Sequence, residues 1–242
     1  MIALPLVLLP GLDGTGHLFR RFVGAAPAIV APRVVSYPPD EPRSYAELEA
    51  IVEASVPGGP FAIVAESFAG PLALRVAAKR PAGLVAVVLV ATFVRAPTPW
   101  WMRPLRRLAR PSLFRRPPPA LLVRVLMTGF DADDALVSEL RASIASVRAE
   151  VIAARVQAVL DVDATEQLAG CPVPLLYIAA EHDALLRDGI AAELVAVRPD
   201  LEVVSLPAPH LVLQTRPREA AAVVASFLER AHPTGSSRTH SS

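Results

Sequence analysis

Six short apolar runs, most followed by a polar or glycine-rich break and then a helical pattern, constrain this chain more than any other feature. They cover residues 4–9, 33–37, 61–65, 85–90, 174–179 and 201–206. Most are continuously apolar rather than alternating, which is the pattern of strands covered on both faces. Helical patterns over 45–56, 68–79, 187–197 and 218–230 fall between and after them. Strands alternating with helices predict an α/β fold with a doubly wound, mostly parallel sheet of about six strands. A chain of 242 residues, 53% of them hydrophobic, can bury such a sheet in one catalytic-sized domain.

The alternation stops between Val94 and Gly170. Prolines crowd the stretch from Pro97 to Pro119, and long helical patterns such as 135–160 follow. This reads as a helical cap inserted at 94–170 between core segments 1–93 and 171–232, with a polar tail at 233–242. Because the insertion starts beyond the run ending at Val90, it is expected over the carboxyl ends of the strands. A lid belongs there, since it shapes a pocket and excludes water. Within it Arg95, Arg103, Arg106, Arg107, Arg110, Arg115, Arg116 and Arg124 occur without one intervening acid. Trp100, Trp101, Met102, Leu105, Leu108, Leu113 and Phe114 are threaded among them. That mixture reads as an amphipathic cap with a solvated face, or as an entrance for an acyl carrier or a lipid surface.

The third apolar run leads into Ala65-Glu66-Ser67-Phe68-Ala69-Gly70 and directly into a helix. A serine at such a strand-to-helix turn is lifted out of the sheet, and small neighbours let the backbone pass. This is the arrangement usually written G-x-S-x-G. Here the small flanking residues are Ala65 and Ala69, and Gly70 comes one position late. A serine hydroxyl becomes a useful nucleophile only when a base takes its proton and a third group orients the base.

Both partners can be sought at later strand ends, in the order serine, acid, histidine. The run 174–179 is followed by Ala180-Glu181-His182-Asp183, and the run 201–206 by Pro207-Ala208-Pro209-His210. Of the five histidines, His17 precedes the serine, His182 adjoins the candidate acid, His232 ends the last helix and His240 lies in the tail. His210 remains as the base. Glu181 and Asp188 compete with Asp183 for the acid, but Asp183 sits where a turn swings a carboxylate back. The end of the preceding strand, Ala91-Thr92-Phe93, offers no carboxylate. Negative charge developing on a substrate oxygen needs backbone N–H donors. Position assigns them to Phe68, at a helix N-terminus, and to Leu12, in the loop Pro10-Gly11-Leu12-Asp13-Gly14-Thr15-Gly16.

With these blocks in hand, the chain resembles the α/β-hydrolase superfamily, most closely its small bacterial esterase, lipase and thioesterase-like members. The resemblance runs from Ala3 to about Ala231 and rests on LLPGLDGTG, AESFAG, the Asp183 loop and the His210 loop. The chain departs from it in two places: Pro10-Gly11 replaces a frequent His-Gly pair, and Ala65 replaces a frequent glycine. The superfamily's first two, partly antiparallel strands have no counterpart. The resemblance implies a serine hydrolase acting on a small-molecule carboxylic ester, without cofactor or metal. Acyl transfer or thioester cleavage by the same triad is the alternative, since LPGLDGTG also resembles plant acyltransferase-like relatives. A catalytically inactive binding protein on the same fold is a third, lesser reading.

Composition excludes other classes. A net charge of +1 offers no case for nucleic acid, and the glycine spacing of residues 11–16 is wrong for a dinucleotide fingerprint. The single cysteine, Cys171, points to a structural thiol and a cytoplasmic protein. The apolar start, broken by Pro5 and running straight into the glycine loop, reads as a first strand rather than a targeting signal.

Overall fold

The computed structural model describes residues 3–97 and 109–233. Six strands form one sheet: β1 Leu4–Leu9, β2 Val30–Val34, β3 Phe61–Glu66, β4 Leu84–Val90, β5 Leu175–Ala180 and β6 Glu202–Leu206. All adjacent pairs are parallel, in the order β2-β1-β3-β4-β5-β6. In the chain's order the helices are α1 Arg20–Ala25, α2 Tyr45–Ser55, α3 Ala69–Ala78, α4 Ala120–Val123, α5 Asp134–Ala145, α6 Ala149–Asp161, α7 Thr165–Ala169, α8 Ile190–Val197, α9 Val212–Thr215 and α10 Pro217–Ala231.

Alternate residues of the strands feed two separate cores, as the two-residue period of a strand requires. Val7, Leu9, Ile63, Val87, Leu89 and Tyr177 face one way and pack with α2, α3, α7 and α8. Leu6, Leu8, Val64, Val88, Leu176 and Ile178 face the other way and pack with α1, α9 and α10. The central strands are buried on both sides, which is why their sequences are unbroken apolar runs. The order turns back between β1 and β3, so their following connections leave on opposite faces and open a crevice at their carboxyl ends.

The second strand lies three residues earlier than the run 33–37 predicts. Leu4–Leu8 pair with Val30–Val34, and the ladder ends with the Val35 N–H on the Leu8 carbonyl at 3.0 Å. Val35 and Tyr37 prolong the apolar run because both are buried beyond the strand's end, Tyr37 with its N–H on the Gly14 carbonyl at 2.7 Å. Pro32 is tolerated because β2 is an edge strand with a single neighbour.

The pattern 135–160 divides into two helices. Asp133 caps α5 by accepting from the Leu136 N–H, and the chain breaks at Arg148, whose N–H bonds the Pro39 carbonyl at 2.8 Å. The predicted helix at 187 starts later, at Ile190, because Gly189 adopts a φ of 87° just before it. The segment beyond β4 leaves and returns through a short antiparallel neck, with Ala96 N–H on Val162 O and Ala164 N–H on Val94 O. Arg103, Arg106, Arg107, Trp100, Trp101, Met102, Leu105 and Leu108 lie outside the described residues, as do His240 and the tail from 234 onward. Among the described residues no helix is long and apolar enough to cross a membrane.

Candidate active site

Ser67 follows β3 with a φ of 52°, a left-handed conformation that is uncommon for a residue with a side chain. Its N–H still bonds the Val90 carbonyl at 2.9 Å, so the turn is tied to β4 while the side chain leaves the sheet. The late glycine in the motif has a packing reason. A Cβ on Gly70 would fall 2.1 Å from the Thr92 hydroxyl, and that hydroxyl donates to the Ser67 carbonyl. Gly70 therefore admits the side chain that holds the turn from below. Phe68 is held from the other side: Tyr45 donates to its carbonyl at 2.9 Å and stacks on its ring at 4.8 Å between centroids.

Past β5 and β6 the chain makes two loops that are pinned to each other. The Glu181 N–H bonds the Leu206 carbonyl and the His182 N–H bonds the Ala208 carbonyl, both at 3.0 Å. This brings Asp183 to His210. One carboxylate oxygen of Asp183 accepts from the Leu185 and Leu186 N–H groups at 2.9 Å, which fixes the carboxylate plane. The other lies 2.7 Å from His210 Nδ1. His210 Nε2 in turn lies 2.8 Å from Ser67 Oγ. The imidazole is fully buried, so the serine hydroxyl and the aspartate are the groups its two nitrogens meet.

The other candidates stand elsewhere. His17 and His182 are exposed, as are Glu181 and Asp188, and His232 ends α10. The glycine loop after β1 comes up beside the serine, since a Cβ on Gly11 would lie 3.8 Å from Ser67 Cβ. Among the described residues, neither the Leu12 nor the Phe68 N–H donates to another protein group. No cluster of three or more His, Cys, Asp or Glu side chains that could hold a metal ion occurs among the described residues.

Reading the sequence missed several groups around this site. Glu66, the residue before the serine, is buried and accepts from Gln214 Nε2 at 3.0 Å. Burial pushes its carboxyl from the ordinary 4.5 up to about 7, against the opposing pull of Gln214 and His210. Arg155 on α6 is 2% exposed and reaches the glycine loop. A lone arginine inside the apolar stretch from Val151 to Leu160 was the available sign. The turn at Arg124–Thr128 also touches the site, because the Met127 carbonyl accepts from Leu211 N–H at 3.0 Å, next to His210.

A family model described as the alpha/beta hydrolase family matches residues 6–223. No curated protein sequence matches the chain. Among solved structures, it is similar to a hydrolase from Pseudomonas aeruginosa PA01, with 24% identity, 93% of this chain and 90% of that chain covered, and a TM-score of 0.71. A thermophilic esterase from Thermogutta terrifontis superposes with a TM-score of 0.75 at 19% identity, covering 95% and 91% of the two chains. An enol-lactonase from Burkholderia xenovorans LB400 gives 0.72 at 19% identity, covering 93% and 91%. At these identities the likeness is one of fold.

Proposed function

Because the chain belongs to the alpha/beta hydrolase family, we propose that it is a serine hydrolase cleaving a carboxylic ester through an acyl-enzyme intermediate. The observation that carries this reading is the unbroken line Ser67 Oγ, His210 Nε2, His210 Nδ1, Asp183 Oδ2, with steps of 2.8 and 2.7 Å. Ser67 Oγ attacks the ester carbonyl as its proton passes to His210 Nε2. Asp183 accepts from Nδ1–H, holding the tautomer with its acceptor nitrogen toward the serine and stabilising the imidazolium that forms. The carbonyl oxygen, now negative, is received by the N–H groups of Leu12 and Phe68. Collapse of the intermediate expels the alcohol, protonated by His210. Water, deprotonated by the same nitrogen, then attacks the acyl-serine and releases the acid.

A fluorophosphonate tests the reading directly, since it phosphonylates only an activated hydroxyl. Peptide mapping is expected to place the adduct on Ser67, with strong loss of labelling in His210→Gln and near-normal labelling in His182→Gln. An adduct elsewhere, or none on folded protein, would overturn it.

One observation favours a second reading, thioester cleavage or acyl transfer from an anionic donor by the same three residues. No acid occurs between Glu66 and Asp131, and Arg110, Arg115 and Arg116 are exposed beside the exposed Leu113, Leu121 and Leu122. A donor with a phosphate-bearing carrier and an apolar acyl chain suits such a surface. A panel of p-nitrophenyl esters of increasing chain length beside a coenzyme A thioester separates the two.

A further inference from the structure

We infer that Arg155 is a positioning residue for the oxyanion site, reaching from α6 to fix the two loop peptides that follow the one carrying the Leu12 N–H. The kinetic part of this inference rests on the acyl-transfer reading above; the structural part does not.

A buried arginine is costly unless its donors are met, and this one forms no ion pair among the described residues. It is satisfied by backbone carbonyls. Nη1 donates to Leu12 O at 3.0 Å and to Asp13 O at 2.7 Å, and Nη2 donates to Pro38 O at 3.0 Å. The guanidinium carbon sits 5.6 Å from the centroid of the Tyr37 ring, within cation–π range. Gly14 packs on the same group. Its φ is 68°, and a Cβ there would meet Arg155 Nη1 at 2.5 Å and Tyr37 Cδ2 at 2.8 Å. The loop's second glycine thus makes room for the guanidinium as well as for the turn.

The consequence for Leu12 follows from peptide planarity. In a trans peptide the N–H points opposite to the carbonyl of the same plane. Gly11 O is captured inside the turn by the Gly14 N–H at 3.1 Å, so the Leu12 N–H is turned outward. Arg155 pins the next two carbonyls, which holds the turn closed so that the Gly14 N–H stays on Gly11 O and the plane keeps its orientation. A second tie comes from α5: Asp13 Oδ2 accepts from Ser143 Oγ at 2.8 Å and from the Thr15 N–H at 3.0 Å. Helices inserted far along the chain therefore hold the donor in place before any substrate arrives, as electrostatic preorganisation requires.

The test is kinetics and amide exchange on Arg155→Gln, Arg155→Lys and Ser143→Ala beside the unsubstituted protein. Arg155→Gln is expected to lower kcat on a short p-nitrophenyl ester by about 10- to 100-fold while KM moves less than about threefold, less than outright loss of a donor because the Leu12 N–H is misaligned rather than removed. Deuterium exchange in the peptide covering residues 9–16 is expected to rise. Arg155→Lys keeps the charge but not the fork, so it is expected to resemble Arg155→Gln. Ser143→Ala, which removes one bond to Asp13, is expected to act in the same direction more weakly, and it carries the test if the Arg155 variants do not fold. An unchanged kcat, a KM rise with kcat intact, full rescue by lysine, or unchanged exchange would overturn the inference. If the unsubstituted protein turns over no acyl substrate yet exchange rises in the variants, the functional reading fails and the loop-positioning role stands.

Discussion

Glu66 ends β3 inside the protein, one residue from Ser67, with its carboxyl against the Gln214 amide. Glu66 Oε1 and Gln214 Oε1 both lack a hydrogen-bond partner among the described residues. With a proton on Glu66 these two acceptors become a donor and an acceptor, which suits a carboxyl titrating near 7. The native state then holds a proton that the unfolded chain has already lost above pH 4.5. The corresponding stability is complete below that value and is lost as pH rises through about 7. The full loss is about 3 kcal/mol, from 1.36 kcal/mol per pKa unit. Chemical denaturation at pH 5 and pH 8 is expected to show this fall in the protein and not in Glu66→Gln; equal falls in both would place the effect elsewhere. Such residues were hidden in the sequence, because a glutamate or an arginine in an apolar run looks the same whether it points into the core or out of it. Ser67, Asp183 and His210 were legible because each follows a recognisable strand and their order along the chain is constrained.

At the scale of elements, the turn at Ser67 is built jointly by β3, β4 and α2. The Thr92 hydroxyl at the end of β4 and the Tyr45 hydroxyl at the start of α2 each satisfy a carbonyl of the turn. Ser44 caps α2 with a reciprocal Ser44–Glu47 capping box, so the position of Tyr45 is itself well defined. Tyr45→Phe leaves the buried Phe68 carbonyl without its donor and is expected to cost about 1–3 kcal/mol, read by urea denaturation. A loss within about 0.5 kcal/mol would mean that water replaces the hydroxyl. Element type was easy to read from the sequence, whereas bounds were not. The β2 run was displaced because Val35 and Tyr37 are buried beyond the end of the strand, and burial is what periodicity detects. The α5–α6 break was invisible because its cause is the distant Pro39 carbonyl and no glycine or proline marks it.

Across the whole molecule, the reversal of strand order between β1 and β3 brings the glycine loop to the serine, and the parallel neighbours β5 and β6 bring the acid and the histidine. The parallel sheet followed from a pattern of apolar runs; the strand order did not. Nor did the contacts of the inserted helices, because they join residues more than a hundred positions apart, as in Arg155 with Leu12 and Arg21 with Asp133. The charge distribution is also a property of this scale: a net charge of only +1 conceals a long acid-free stretch. If that stretch receives an anionic donor, replacing Arg115 and Arg116 together by glutamine is expected to raise KM for a coenzyme A thioester several-fold at low salt. The difference is expected to vanish at high salt, where the screening length is only about 3 Å, and a short neutral ester is expected to be unaffected. Equal losses on both substrates would point instead to disturbed packing. The central claim, that Ser67 is the nucleophile, is tested most directly by ester turnover of Ser67→Ala in protein shown by circular dichroism to be folded. The expected result is a fall in kcat of about 10³-fold or more, because members of such a triad act as a unit. Substantial turnover by that folded variant would contradict the account.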